Sequence, residues 1–295
     1  MTENINIWDI GAAGGIDSLF INNKKKLKFF LFEPNKIEFK KLVKLYKNNS
    51  NVELYNIAIS KNKQTQRFYS YKTSSSLKKL DYLKDKKYSL MRVDTNSLQN
   101  IKKEFKLPTV DILKIDTEGS EYDILLGCQK LLKNQVLCLK LEFKFEGIRK
   151  TNDFFSLNNI LVKNNFKLVG ISYSESINSY LSGGDLLYFK SLDDPLFRKK
   201  EKFIKMVEIC DMLGRINYIN HSNKKKNLMK NLSQAESYYV NKLRNKLFLL
   251  NRKNAYFPRL SALFFWLSIF FMGRKYRTKS APKLNQLRGF KKFYI

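Results

Sequence analysis

Histidine occurs once in the 295 residues, at His221, and cysteine three times, at Cys128, Cys138 and Cys210. A lone histidine in the polar stretch "NHSNKKKN" has no companion for a metal site or a nucleophile-base pair. That removes zincins and the serine or cysteine hydrolases built around histidine. No two cysteines form a CxxC pair, and three dispersed thiols are too few for a disulfide framework, so a reducing compartment is expected. Cys128 and Cys138 lie in apolar runs and are expected in the core. Acid is scarce too: 26 Asp and Glu face 56 Lys and Arg, giving a formal net charge of +30. The N-terminal "MTENINIWDIGAAGG" lacks the basic segment and apolar stretch of a signal peptide, so the expected location is the cytoplasm. No repeat with a period of 20 to 50 residues is evident.

What the chain does have is ordinary apolar content and enough length for one sizeable core plus an appendage. Over-use of Lys, Asn and Ile throughout is what an AT-rich genome produces, so part of the charge is compositional. The excess is also uneven, because residues 191 to 295 hold 24 Lys and Arg against 6 Asp and Glu. Through residue 190, short apolar runs alternate with amphipathic stretches, the pattern of strand-helix units feeding a mostly parallel sheet. The predicted strands are "INIWDIG", "LKFFLFEP", "NVELYNIAIS", "TVDILKID" and "QVLCLKLEFKF". "QRFYSYK" and "YSLMRVD" read as accessory strands around a polar insert. A Lys-rich helix is predicted over Ile37 to Tyr46. A second covers "EYDILLGCQKLL", with Ile124, Leu125, Cys128, Leu131 and Leu132 on one face. A third lies near Phe154 to Lys163. "FKLVGISY" and "GDLLYFK" form a predicted closing pair, with Gly183 and Gly184 at its turn. After Asp194 helical, basic segments take over, which sets an expected division into residues 1–193 and a basic helical extension, 194–295.

Within that extension, "LSALFFWLSIFFMG", Leu260 to Gly273, is 14 residues without a charge, short of the roughly 20 that span a bilayer. Basic residues flank it over 252–279. Two readings stand: a helix lying on an anionic membrane surface, on the inner face, or a helix buried in the fold.

Two stretches carry the chemistry of a cofactor site. "DIGAAGG", Asp9 to Gly15, follows the first strand, where glycines let the backbone turn tightly and approach a ligand. It is neither the dinucleotide fingerprint GxGxxG nor the phosphate-binding GxxxxGK[ST]. Asp9 before Gly11, with Gly14 three residues on, suits a ligand whose recognition end is an amino acid. "FEP" places Glu33 at the end of the second strand, about 20 residues further, where a carboxylate accepts both hydroxyls of a ribose. A third stretch, "LKIDTEGSEYDILLG", gathers Asp116, Glu118, Glu121 and Asp123 where an apolar run gives way to a helical pattern. Glu118 and Glu121, read as the first turn of that helix, would offset its dipole.

In order along the chain, "DIGAAGGID", "FEPN", "NIAIS", "SSSL", "VDTNSL", "DILKIDTEGSEYDILLGCQKLL", "LEFKF" and "GGDLLYFK" resemble the FkbM-type family of S-adenosylmethionine-dependent methyltransferases over most of residues 5–190. The resemblance implies an α/β fold with a Rossmann-like seven-stranded methyltransferase sheet. It also implies an S-adenosylmethionine pocket over the sheet's C-terminal edge and O-methylation of a hydroxyl, often on a sugar or polyketide. Carried over by position, Asp9, Gly11 and Gly14 hold the methionine end, Glu33 the ribose, and Asn56 and Ala58 border the adenine. Many members have Asn where this chain has Ala13, which puts one contact in doubt. Asp116 and Glu118 are the best candidates for acceptor contact, with Lys114, Glu121 and Glu142 nearby. If a metal is used, oxygen ligands favour Mg²⁺ held by Asp116 and Glu118. The expected function is methylation of a saccharide or lipid-linked glycan. The alternatives are RNA ribose methylation and a non-catalytic membrane-associated scaffold that retains the fold. Neither an NPPY-like tetrad nor a Pro-Cys nucleophile is present, so nucleic acid is not the expected partner.

Overall fold

The computed structural model describes residues 4–21, 27–70, 75–79, 87–144, 153–175, 181–220 and 225–243. In chain order the elements are β1 (Ile5–Ile10), α1 (Ser18–Ile21), β2 (Leu27–Phe32), α2 (Lys36–Tyr46), β3 (Val52–Tyr55), β4 (Ala58–Ile59), β5 (Gln64–Ser70) and β6 (Ser89–Asn96). There follow α3 (Leu98–Glu104), β7 (Ile112–Ile115), α4 (Glu121–Gly127), α5 (Gln129–Asn134), β8 (Cys138–Lys144), α6 (Phe154–Lys163), β9 (Phe166–Glu175) and β10 (Leu181–Lys190). After these come α7 (Lys200–Met212), α8 (Asn217–Asn220) and α9 (Lys225–Lys230), and residues 234–243 are helical as well.

Seven strands form one sheet in the order β3-β2-β1-β7-β8-β10-β9, and β4, β6 and β5 form a second, three-stranded sheet. In the large sheet β3, β2, β1, β7 and β8 run parallel, while β10 is antiparallel to both neighbours. The expected seven-stranded α/β architecture is therefore present. The central strands β1 and β7 are buried on both faces, with all residues of each buried, which explains continuous apolar runs in place of alternation; the edge strand β3 is only half-buried.

Alternate residues of each strand feed two core clusters. Trp8, Ile10, Phe30, Phe32, Leu113, Ile115, Leu139 and Leu141 meet Ile124, Leu125, Cys128, Leu157 and Leu161 on one face. Ile5, Ile7, Phe29, Leu31, Ile112, Cys138, Leu187 and Phe189 meet Phe203, Met206, Val207, Ile209 and Cys210 on the other. The expected apolar face of Ile124, Leu125, Cys128, Leu131 and Leu132 is buried throughout.

Four readings of the sequence need correction. "NVELYNIAIS" is not one strand but two in different sheets, because Asn56 donates its side-chain amide to Glu33 O (2.7 Å) and Pro34 O (3.2 Å) and the chain leaves the large sheet there. "EYDILLGCQKLL" is two helices that meet at Cys128. Gly127, just before the break, lies so close to β4 that a Cβ would stand 2.8 Å from Ser60 O. Gly183 and Gly184 are not the turn but lie inside β10, opposite Lys144 and Phe143. Lastly, Glu118 lies outside the helix, which begins at Glu121.

Packing also runs across position 193. Phe197, Ile216, Ile219 and Val240 join α7 in the second cluster. Lys202 and Lys205 of α7 both reach the fully buried Asp111 carboxylate, at 3.0 and 2.8 Å. The apolar run Leu260 to Gly273, its flanks over 252–279, and His221 lie outside the described residues. Among the described residues no helix is long and apolar enough to cross a membrane.

Candidate active site

Strand order reverses around β1, which has β2 on one side and β7 on the other. The carboxyl ends of strands at such a switch point open a crevice in which ligands bind. Here the crevice is a cavity of about 230 Å³, lined by Gly11 and Ala13 after β1, Glu33 and Pro34 after β2, and Ile57, Ala58 and Ile59 around β4. Ile10 and Phe32 at the ends of β1 and β2, Asp116, Thr117, Glu118 and Ser120 after β7, Glu38 from α2, Phe68 from β5, and Ser75, Ser76 and Leu77 from the insert complete its described wall.

The glycine loop is built for close approach. Gly11 has φ +80°, and a Cβ on it would stand 1.9 Å from the Asp116 carbonyl oxygen. Only glycine fits where the two loops meet. Gly14, at φ +91°, also needs the left-handed region but faces open space, and it is not part of the cavity wall.

Glu33 is 3% exposed. Its Oε1 accepts from the Asn35 N–H at 2.7 Å, and the Ala13 N–H also supports the carboxylate. Burial nevertheless lifts its pKa to about 7, with Glu38 and Asp9 adding to the rise against those two N–H groups. Of the two residues expected to border the adenine, Ala58 lines the cavity and Asn56 does not. Its amide is committed to the backbone after β2, and Ile57 takes the lining position.

Asp9, expected at the methionine end, is 2% exposed and accepts from Lys114 Nζ at 2.9 Å. The same ammonium lies 3.4 Å from Asp116 Oδ2. Burial works against this charge, but Asp9, Asp116 and Asp17 more than offset it, so the Lys114 pKa rises. The sequence reading missed a second pair beside it, in which Lys140 meets Asp17 at 2.6 Å and Asp185 at 3.1 Å. Burial opposes both charges there as well. Their mutual attraction prevails, holding Asp17 below and Lys140 above their ordinary ranges. Register shows why these residues meet: Asp9 stands opposite Lys114 and Lys114 opposite Lys140, so one polar row crosses three strands.

The acid-rich stretch divides its roles. The Asp116 side chain is 43% exposed on the cavity wall, and Glu118 lines the cavity at φ +54°. Glu121 belongs elsewhere: it is fully buried, and its carboxylate accepts from Thr117 N (2.9 Å), Thr117 Oγ1 (3.0 Å) and Gly119 N (3.0 Å). Named in the sequence as lying near the acceptor candidates, Glu121 here closes the β7-α4 loop. Glu142 is outside the cavity wall, in β8 opposite Asp185. For Asp116 and Glu118 as magnesium ligands the geometry offers no support, since among the described residues no group of three or more His, Cys, Asp or Glu is arranged to hold a metal.

Ser75, Ser76 and Leu77 of the insert lie in the cavity wall, and the bonds that anchor them were not legible in the sequence. Asn35 caps α2 by accepting from Ile37 N (2.9 Å) and donates to Ser70 Oγ and Ser75 Oγ. Ser76 donates to the Glu118 carbonyl at 2.7 Å.

Residues 9–168 match the model of the methyltransferase FkbM domain. The chain belongs to the FkbM-type methyltransferase family. Similar solved structures include the FkbM methyltransferase of Methylobacillus flagellatus KT, at 16% identity and a TM-score of 0.43 over 63% of this chain and 43% of that one. A precorrin-6y C5,15-methyltransferase of Geobacter metallireducens GS-15 aligns at 12% identity and a TM-score of 0.34, covering 64% and 82% of the two chains. An rRNA methylase of Streptococcus thermophilus aligns at 11% identity and a TM-score of 0.36, covering 64% and 89%. The FkbM-type chain thus aligns with less than half the length of the Methylobacillus protein. No curated protein matches it.

Proposed function

We propose that this FkbM-type chain transfers the methyl group of S-adenosylmethionine to a hydroxyl of a saccharide or lipid-linked glycan. The observation that carries this reading is one cavity holding both a buried carboxylate at the end of β2 and a half-exposed one at the end of β7. Glu33 suits the two hydroxyls of a ribose, and the loop at Gly11 lets backbone come close beside it. The bound cofactor supplies a methyl group already activated by its sulfonium, so alignment of the acceptor does much of the work. An alcohol is a poor nucleophile until its proton is drawn away. Asp116 suits that task by accepting the acceptor's O–H, with the Lys114 ammonium 3.4 Å from its Oδ2.

A saccharide fits this wall better than a phosphate-rich acceptor. The described lining includes Glu33, Glu38, Asp116 and Glu118 and no Lys or Arg, whereas nucleic-acid backbones are held by cations. In this proposal the basic, aromatic stretch 252–279 brings the chain to the anionic inner face of a membrane, where lipid-linked acceptors lie.

Tritiated methyl transfer, run in parallel on cell-envelope and RNA fractions, tests the reading. Label is expected in envelope saccharide, and Asp116→Asn should slow transfer about 100-fold with cofactor affinity unchanged. Label in RNA would replace the glycan reading with ribose methylation. Absence of both transfer and cofactor binding would leave the scaffold.

A further inference from the structure

The geometry points to the Ser120 hydroxyl as the group that binds the edge of the nucleoside's base, an inference that rests on the cofactor reading above. Ser120 lines the cavity and is 2% exposed. Its Oγ finds no hydrogen-bond partner among the described residues. It stands immediately before α4 yet makes no side-chain cap bond there. Buried hydroxyls are nearly always paired, so an orphan calls for a missing partner. Trp8 Nε1 is a second unpartnered buried group, but Trp8 is not in the cavity wall.

The surroundings define what that partner is. Phe32, Pro34, Ile57, Ile59, Phe68 and Leu77 give the same cavity an apolar lining. A flat heteroaromatic ring satisfies such a wall with its faces and leaves ring nitrogens and an amino group at its edge. Those edge groups need partners once removed from water. Glu33 accounts for hydroxyls but not for the base. A serine hydroxyl both donates and accepts, so it serves either a ring nitrogen or an exocyclic amine. Ser120 is therefore a specificity-determining contact for the base and takes no part in moving the methyl group or the proton.

Calorimetry of the full chain and of Ser120→Ala, each with S-adenosylmethionine and with adenosine, tests the assignment. Loss of one hydrogen bond should weaken both ligands by the same factor, about three- to tenfold. Ligand-free Ser120→Ala should melt no lower than the parent, since the hydroxyl bonds nothing there. Ser120→Cys, which nearly keeps the volume but is a weak donor, should give an intermediate loss. Unchanged affinities would overturn the inference, as would a loss confined to S-adenosylmethionine, which would place the contact at the methionine end. A lower melting temperature with unchanged affinity would also overturn it by making the hydroxyl structural. Failure of the parent chain to bind either ligand would sink the cofactor reading itself.

Discussion

Burial lifts the Glu33 carboxyl to about 7, against the 4.5 of an unperturbed glutamate, and this gives one residue two opposite pH effects. The ligand-free fold holds the Glu33 proton more tightly than the unfolded chain between those values. Glu33 therefore stabilises the fold at lower pH, and that contribution is lost as pH rises through about 7. In the proposed ribose role binding runs the other way, because a carboxylate can accept two ribose hydroxyls and the acid cannot. From pH 6 to pH 8 the melting temperature of ligand-free Glu33→Gln should gain on that of the parent. Over the same range S-adenosylmethionine should bind the parent more tightly, with proton release visible as a dependence of calorimetric heat on buffer. A parent affinity flat across that range would reject the ribose role. Glu33 was legible in the sequence because strand end, spacing and charge coincide there. Ser120 and Asp17 were not, since which hydroxyl lacks a partner and which carboxylate meets Lys140 depend on groups distant in the chain. Asn56 misled for the same reason, its amide being drawn to the backbone after β2.

Among the elements, the loop from β7 to α4 depends on Glu121. A buried carboxylate that accepts from two backbone N–H groups and a hydroxyl holds the loop in place for Asp116 and Glu118. Glu121→Gln keeps the shape but loses charge and acceptor capacity, and should cost about 1 to 3 kcal/mol in denaturant unfolding. Asp116→Asn, exposed at the wall, should cost within about 0.5 kcal/mol. Equal stability of the two variants would contradict the division of labour drawn above. The sequence located the acid cluster, since its position after an apolar strand is periodic information. It did not separate the jobs, because loop closure by Glu121 needs the φ values of Glu118 and Gly119, +54° and +111°. Strand existence was similarly legible while strand membership was not: nothing between Val52 and Ser60 says that the chain changes sheets at Asn56. Gly183 and Gly184 read as a turn because glycine usually punctuates strands, whereas here two neighbouring strands pair across them.

At the scale of the whole molecule, composition changes near residue 193 but the core does not end there. α7 covers one face of the sheet, and Asp111 shares its buried carboxylate with two of that helix's lysines. A chain shortened to residue 193 should therefore expose Ile7, Phe29 and Leu31, bind a hydrophobic dye and lose cooperative unfolding. Cooperative unfolding of the shortened chain, monitored by circular dichroism, would contradict this. Membrane docking through 252–279 is accordingly better tested by cutting after residue 243, where loss of liposome binding is not confused with loss of fold. Alternating apolar and amphipathic runs made the sheet legible, whereas the role of α7 was hidden by its three lysines, of which Lys202 and Lys205 are buried.

The contact between Gly11 and the Asp116 carbonyl also limits how this architecture can diversify. With no room for even one methyl group between them, the glycine turn after β1 and the turn that presents Asp116 form one mechanical part. Lengthening or reshaping either for a new acceptor disturbs the other. The insert has more latitude, its described residues being tied to their surroundings by side chains: Ser75 to Asn35, Ser76 to the Glu118 carbonyl and Lys78 to Asp123. A lineage seeking a different acceptor has its easiest route through the insert, by changing the outer wall while the inner hinge of glycine and aspartate stays as it is.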